Sequence, residues 1–329
     1  MEGVVLNILS KLKGDSLVIR AMKEEDIPES RRVGQEAWSD LVSRDIGRKI
    51  MYPIRPRKIV EAYMWKEPLG CLVAVNENRL IGTAFSHVWG KIGWIGPIEI
   101  IPEAQDRGIG KMLLEACEEY IMGKGCEVIG VETMPNMPKN IHFYLTQGYT
   151  PRQLTLITEK SIRASELRPV PEHIRELEEE ELKGFIPRIQ DMSRQVNPLL
   201  DYSIEFKALF KKRLGQCFVM DDGEVIKGVA LLHSYNRSGD SNFCSIKTVL
   251  VDGDFPDPWG TFEDLLVTCE NKAVELGKKR IYTRFSGENP KMYSTVIGRG
   301  FRLANSNIRV IKNGDYQERT DYHVSSWAG

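Results

Sequence analysis

The 329-residue sequence repeats one pattern of strands, turns and helices after about 150 residues. Four segments recur in the same order, at offsets of 146 to 152 residues: 17–29 and 166–176, 79–85 and 224–232, 113–125 and 265–277, and 147–149 and 299–301. A chain of this length has room for two domains, each with its own core. The repeat therefore predicts two copies of one fold, a first domain over residues 1–160 and a second over residues 161–329.

The first copy predicts elements in the order β-α-α-β-β-β-α-β-α-β. Apolar or alternating runs between turn residues predict strands near 16–22, 70–76, 79–90, 92–101, 126–133 and 149–160. Apolar residues at helical spacing predict helices near 27–43, 56–66, 110–125 and 139–148. The fold class expected is α/β (α+β), with two tandem domains, each a mixed, mostly antiparallel twisted sheet flanked by helices.

Composition limits the partners that this chain can be expected to have. The formal net charge of −1 gives no electrostatic reason to expect nucleic acid or an anionic membrane surface. Six scattered cysteines form no C-x-x-C and no Cys/His cluster, so we expect reduced thiols and no metal. The N-terminal residues lack a secretory pattern and no 18-residue apolar run occurs, which predicts a cytoplasmic protein. We expect a monomer or a homodimer.

The stretch AQDRGIGKMLLEA, residues 104–116, places Gly108 and Gly110 at the start of a predicted helix. A helix start presents N–H groups without intrahelical acceptors, and the helix dipole adds positive charge, so it can bind an anion. Glycine lets the main chain approach phosphate oxygens and adopt positive φ. Arg107 and Lys111 add counter-charge. The spacing matches neither common nucleotide fingerprint, and a purely structural turn is the alternative.

Two longer segments resemble motifs of the GCN5-related N-acetyltransferase (GNAT) superfamily. IGPIEIIPEAQDRGIGKMLLE resembles its acetyl-CoA signature, Q/R-x-x-G-x-G/A, through Gln105, Gly108 and Gly110. NIHFYLTQGYTP resembles its N-x-x-x-Y-x-x-x-G-F/Y segment through Asn140 and Tyr144. The resemblance covers residues from about 16 to 160 and extends to the order of the predicted elements. It implies a tandem-domain member that uses acetyl-CoA as co-substrate, without a metal.

The resemblance also implies a role for individual residues. The strand before the glycine turn would splay from its neighbour, and its residues Ile98, Glu99 and Ile100 would pair with the pantetheine arm. The N–H of Ile98 would stabilise the oxyanion. The pyrophosphate would be held by the backbone of Gln105, Asp106, Arg107, Gly108, Ile109, Gly110 and Lys111. Asn140 or Asn136 would contact the arm of the cofactor, and Tyr144 would protonate the departing thiolate.

The expected reaction is direct attack of an amine on acetyl-CoA, so a general base is useful. Glu99 is the first candidate for the base or for holding the substrate ammonium, with an outward salt bridge as the alternative. Glu132 is a weaker candidate, and Tyr144 could instead be a packing aromatic. His87 and His142 are expected to be structural. Trp89 and Trp94 could line an acceptor pocket or fill the core.

The second copy lacks the features that define the site in the first. At an offset of 152 residues, Gly110 becomes Phe262, Gln105 becomes Asp257 and Tyr144 becomes Val296. Missing donors and added carboxylates oppose pyrophosphate binding, so residues from about 165 to 329 are predicted to bind no cofactor.

Three functions stay open from the sequence. The first is an N-acetyltransferase with an active first domain, acting on a small-molecule amine or a peptide. The second is a non-catalytic acyl-CoA-binding or regulatory module of the same fold. The third is a scaffold with a vestigial turn. Substrate choice lies in loops and the first helices, so the acceptor is not defined.

Overall fold

The computed structural model describes residues 17–170, 173–221, 225–234 and 241–325, and the N-terminal run over residues 1–16 lies outside this range. The first half contains β1 (Leu17–Ala21), α1 (Ile27–Ile46), α2 (Arg57–Lys66), β2 (Cys71–Asn76), β3 (Arg79–Trp89), β4 (Ile92–Ile100), α3 (Ile109–Gly123), β5 (Val128–Thr133), α4 (Pro138–Thr146) and β6 (Thr150–Ser161). The predicted order of elements is the order observed.

The second half repeats this order. It contains β7 (Ile174–Glu176), α5 (Leu182–Val196), α6 (Ser203–Lys212), β8 (Gly215–Asp221), β9 (Ile226–His233), β10 (Phe243–Val251), α7 (Pro258–Glu275), β11 (Arg280–Ser286), α8 (Pro290–Gly298) and β12 (Arg302–Asn313), followed by the short β13 (Val324–Ser325). The predicted fold class, a mixed sheet flanked by helices in two tandem copies, is confirmed.

The two halves share one sheet, because each contributes a strand to the other. The strand order is β1-β2-β3-β4-β5-β12-β6-β11-β10-β9-β8-β7, with β13 paired to β10. Strand β12 lies between β5 and β6, and β6 lies between β12 and β11. The pairs β4–β5 and β10–β11 are parallel. The predicted boundary at residue 160 thus falls at the end of β6, whose partners among the described residues are strands of the second half, and the boundary itself stays a prediction.

Helices cover both faces of the sheet. A Cβ added at Gly82 of β3 would meet Leu113 of α3, whereas the neighbouring Thr83 donates to the Glu99 carboxylate, which a Cβ added at Gly34 of α1 would meet, so α1 and α3 lie on opposite faces. We call these the α1 face and the α3 face. On the α1 face, Lys66 of α2 donates to the buried carboxylate of Glu205 of α6 at 2.7 Å, which joins the two halves.

Among the described residues, no helix combines the length and the apolar character needed to cross a membrane. All six cysteines are free thiols, five of them buried.

Candidate active site

A split between two parallel strands forms the centre of the candidate site. β4 pairs with β5 only from Ile92–Ile95 to Val128–Val131, whereas its pairing with β3 continues to Ile100. The Ile101 N–H donates to the Ile81 carbonyl at 3.1 Å. Because N–H groups alternate along a strand, those of Ile98 and Ile100 face the split. The predicted splay is therefore present, with an open strand edge along β4.

The glycine turn lies at the open end of this split. Gly108 is the N-cap of α3 with φ 81°, a left-handed conformation that favours glycine. An added Cβ there would meet no atom within 4 Å, so the requirement for glycine at this position is conformational. At Gly110 an added Cβ would lie 3.2 Å from the Cδ1 of Ile100, so this glycine permits close packing of α3 on β4. Gly108 has no side chain to cap the first-turn N–H groups.

Polar side chains at the turn are held by neighbouring elements. The Gln105 amide donates to the Ile100 carbonyl at 3.2 Å. Asp106, which also has a positive φ of 62°, forms an ion pair with Lys139 of α4 at 2.8 Å. The side chains of Arg107 and Lys111 are exposed and the side chain of Ile109 is buried. The turn from Gln105 to Lys111 and the edge from Ile98 to Ile100 thus border the same split.

The two asparagines have different surroundings. The side chain of Asn136 donates to Asp45, at the end of α1, at 3.1 Å. Asn140 is half-buried in the first turns of α4. The same helix packs near the start of α3, since a Cβ added at Gly110 would lie 3.8 Å from the Phe143 ring.

Glu99 forms the ion pair that the sequence left as the alternative to a free base. Its carboxylate is buried and accepts hydrogen bonds from both Nη atoms of Arg55, one at 3.1 Å, and from Trp38 Nε1 at 2.7 Å and Thr83 at 3.2 Å. Burial lowers the pKa of Arg55, but attraction to Glu99 and the hydrogen bonds outweigh burial and raise it above its ordinary value. Arg55 therefore stays charged, and both carboxylate oxygens of Glu99 are engaged by donors, so an acceptor amine could bind Glu99 only by displacing one of them.

Arg55 and Trp38 were not identified from the sequence. Arg55 lies in the segment between α1 and α2, far along the chain from Glu99. The Trp38 ring stacks on Tyr52 at 5.4 Å between centroids, so an aromatic pair covers the ion pair from the α1 side. The hydroxyl of Ser39 accepts from the Tyr52 N–H at 2.8 Å and fixes this segment to α1.

Tyr144 lies in the inner face of α4. Its side chain is 9% exposed, and its ring contacts Phe143 and Tyr149 in edge-to-face geometry at 5.0 and 5.7 Å. Burial raises the pKa of Tyr144 above its ordinary value, and the Cys117 thiol adds to the shift. The hydroxyl is therefore protonated at neutral pH, as a proton donor must be. The packing contacts and the proposed acid role are compatible.

Of the remaining sequence candidates, Glu132 and His87 have structural partners. Glu132 of β5 accepts from Asn307 and Arg309 of β12, both at 3.2 Å, and from Thr155 of β6. Its partners thus come from the two exchanged strands. The buried His87 ring lies 2.8 Å from the Gly96 carbonyl, and burial lowers its pKa, so it is neutral. His142 is exposed, and Trp89 and Trp94 are buried.

The second half has the same split, but a strand of the chain itself occupies it. β10 pairs with β11 only from Phe243 to Ser245. Beyond that point, β13 pairs with β10 at Thr248 and Val249, and the Thr248 hydroxyl donates to the Val324 carbonyl at 2.8 Å. In the first half, the equivalent edge of β4 is the one that faces the open split.

The helix that follows this second split is also capped internally. Asp257 is the N-cap of α7, and its carboxylate accepts from the Gly260 N–H at 2.8 Å. A carboxylate of the chain thus accepts from the start of α7, whereas the sequence predicts an external phosphate at the start of α3. Val296, the counterpart of Tyr144, is fully buried and apolar.

Comparisons with known proteins agree with this geometry. Residues 36–149 match the family model described as "Acetyltransferase (GNAT) family". A GCN5-related N-acetyltransferase from Sphaerobacter thermophilus aligns with TM-score 0.59 at 13% identity, covering 92% of this chain and 98% of that one. A tandem GNAT protein from the clavulanic acid biosynthesis pathway gives 0.58 at 13% identity, covering 92% and 100%.

A further structural similarity, at lower sequence identity, extends over nearly the whole chain. Saccharomyces cerevisiae N-myristoyltransferase aligns with TM-score 0.67 at 9% identity, covering 97% of this chain and 86% of that one. At such identities the likeness concerns the fold alone. A comparison with curated proteins by sequence gives no match.

Proposed function

Because residues 36–149 belong to the acetyltransferase (GNAT) family, we propose that the first half of this chain transfers an acetyl group from acetyl-CoA to a primary amine. One observation carries the proposal: the open edge of β4 leads directly to the glycine turn at the start of α3. An extended arm can pair with that edge while main-chain amides at the helix start bind its diphosphate. The two features together fit a coenzyme A ester.

The proposed chemistry assigns a task to each group at the split. The N–H of Ile98 donates to the thioester oxygen, which becomes an oxyanion when the amine nitrogen attacks the carbonyl carbon. The carbon–sulfur bond then breaks, and the protonated hydroxyl of Tyr144 donates its proton to the thiolate. The amine loses one proton to solvent or to a base, and Tyr144 is reprotonated from solvent.

Glu99 has two possible tasks in this scheme, which can be separated by experiment. As a base or a partner of the substrate ammonium, it would have to exchange Arg55 for the acceptor. As a positioning residue, it would hold the α1–α2 segment through Arg55 and leave deprotonation to solvent. The first predicts a changed pH profile on replacement by glutamine, and the second predicts a raised KM for the amine.

We assign cofactor binding to the first half alone. In the second half, β13 pairs with the strand edge that the arm would need, and Asp257 caps the helix start. Negative charge and an occupied edge both oppose a diphosphate ester. The second half would instead support the acceptor site, because β12 lies directly beside β5 on the sheet.

The acceptor is proposed to be a small-molecule amine, with a peptide amine as the other candidate. A second half that contributes β12, on the far side of β5 from the split, can help to enclose a small substrate more readily than an open surface can. Arg309, which pairs with Glu132 there, is fully buried. An acceptor that reaches this region would contact both halves.

Calorimetry and a thiol-release assay test the proposal. Titration with acetyl-CoA should show one site per chain, and a panel of small amines, polyamines and peptides should stimulate release of free thiol. A thermal-shift screen of the same amines in the presence of coenzyme A would identify the acceptor. Binding at two equal sites would contradict the assignment to one half, and no binding would contradict the proposal as a whole.

The alternative is a non-catalytic acyl-CoA-binding or regulatory module, and one observation favours it. Both oxygens of Glu99 already accept hydrogen bonds, so the split has no unengaged carboxylate on β4. This alternative predicts acetyl-CoA binding without thiol release for any amine in the panel.

A further inference from the structure

The indole of Trp94 lies beside the closed end of the split. The last paired residues of the two parallel strands are Ile95 and Val131, and the strands separate beyond them. Trp94 precedes Ile95 and pairs with Gly130 of β5. A Cβ added at Gly130 would lie 2.1 Å from the Cζ3 atom of Trp94, so the indole lies directly across β5 at this glycine.

The side chains at this point close both faces of the sheet. Gly93 faces α3, because a Cβ added there would meet Ile121, so its neighbour Trp94 faces the α1 side. Trp94 is 1% exposed. On the α3 face, Ile95 and Val131 are each 1% exposed. The split therefore ends in close-packed side chains, with the indole as the largest of them.

We propose that Trp94 limits the acyl group that this protein accepts to about the size of acetyl, an inference that rests on the proposed function. An arm paired with β4 would bring its thioester to the Ile98 N–H, three residues beyond the last β4–β5 pair. A methyl group fits between the thioester and the closed end, but each further methylene must displace the indole or the strand pair. Protein interiors resist such overpacking.

Gly130 is the residue that makes this arrangement possible. Any side chain on β5 at that position would meet the indole, so the ring could not lie across the strand. Because Trp94 on β4 is large and Gly130 on β5 has no side chain, the indole can lie at the end of the split. A smaller residue at position 94 would leave a space that opens into the split.

The test compares acetyl-, propionyl-, butyryl- and hexanoyl-CoA with wild type and Trp94→Leu, both as ligands in calorimetry and as acyl donors. Wild type should prefer acetyl-CoA, losing about ten-fold in kcat/KM for each added methylene. Trp94→Leu should reduce the preference for acetyl over butyryl by about ten-fold or more. Affinity for free coenzyme A should not change. Trp94→Phe, which removes less volume, should give a smaller shift in the same direction.

Trp89→Leu is the matched control. Trp89 is fully buried on β3, where it pairs with Ile92 rather than with a residue at the last β4–β5 pair, and donates to Glu205 at 2.7 Å, so its replacement should lower stability without changing acyl preference. Equal use of hexanoyl- and acetyl-CoA by wild type would overturn the inference even if no Trp94 variant folds. An unchanged preference in a folded Trp94→Leu would also overturn it, while transfer itself would stand. If no acyl-CoA binds wild type, the proposed function fails instead.

Discussion

Arg55 and Glu99 form a buried ion pair between the α1–α2 segment and the strand that borders the split, with Arg55 Nη1 3.1 Å from Glu99 Oε2. The pair ties the segment that covers the α1 face to the residue next to Ile98. Neither group can be removed alone without leaving the other charged and buried. The ion pair therefore affects both the free energy of unfolding and the position of the α1–α2 segment beside the split.

Replacing Arg55 by methionine should therefore lower the free energy of unfolding by about 3–5 kcal/mol, because the Glu99 charge is left buried without its partner. The double variant Arg55→Met/Glu99→Leu should recover much of this loss, since it removes both charges. Urea unfolding of Arg55→Met, Glu99→Leu and the double variant measures the coupling energy between the two residues. Strictly additive losses would contradict a direct interaction.

Glu99→Gln separates the two tasks proposed for this residue. If Glu99 acts as a base, kcat falls and the decrease of kcat at acid pH changes in position or disappears. If it acts through Arg55, KM for the amine rises and the pH profile keeps its shape. Measurement of kcat and KM between acid and neutral pH distinguishes these results.

Tyr144→Phe should lower kcat by about ten-fold or more, because the thiolate then leaves without a proton donor. KM for acetyl-CoA and thermal stability should change little, since the ring and its packing are retained. Tyr149→Phe is the control: its ring packs on Tyr144, but its hydroxyl donates to Glu118 at 2.9 Å. If Tyr144→Phe and Tyr149→Phe had the same kcat, the assignment of Tyr144 as the general acid would be wrong.

Gly108→Ala should weaken acetyl-CoA binding and cost about 1–2 kcal/mol of stability, because alanine resists the left-handed conformation. Gly125→Ala at the other end of α3 is closely matched: its φ is 78°, against 81° at Gly108, and neither position has an atom within 4 Å of an added Cβ. Calorimetry should show reduced affinity only for Gly108→Ala. Equal affinities in the two folded variants would exclude the turn as the diphosphate site.

Asp257→Ala should lower stability by about 1 kcal/mol through loss of the α7 cap, without creating a second binding site. The edge of β10 remains paired with β13 in this variant. Asn289→Ala removes the comparable cap of α8, where the side chain accepts from Met292 at 2.9 Å, and serves as the control. A second acetyl-CoA per chain in Asp257→Ala would show that the carboxylate alone blocks the second half.

Acid should destabilise the protein through Glu318. Burial raises the pKa of this carboxyl, but Arg309 and His323 outweigh burial and hold it well below the ordinary 4.5. A depressed folded-state pKa adds stability above pH 4.5 that is lost progressively as the pH falls further. Glu318→Gln should thus show a shallower loss of stability over that acid range, measured by unfolding at a series of pH values.

Local features of the site were predictable from the sequence, because their physical cause is local. The helix expected near residue 110 begins at Ile109, and the glycines before it mark the turn through their conformational freedom. The splay of β4 followed from resemblance to a family rather than from any pattern in the chain. The carboxylate of Asp257 was visible in the sequence as a difference from Gln105, but its position as the N-cap of α7 was not predicted.

Partners distant in the chain could not be predicted in the same way. Glu99 is a single charge in an apolar strand, and nothing near it identifies Arg55. Glu132 receives its partners from strands β6 and β12, and alternation along a strand defines its faces but not its neighbours. The exchange of these strands between the halves therefore left no signal in the separate copies.

The exchange of strands has a consequence for how the protein is made. β5 of the first half pairs with β12, so the sheet that carries the split is complete only when residues 302–313 have left the ribosome. Until then the growing chain exposes the unpaired edge of β5, which could pair with another nascent chain. Synthesis of the first half is thus not enough to finish it, and the order of assembly differs from the order of translation.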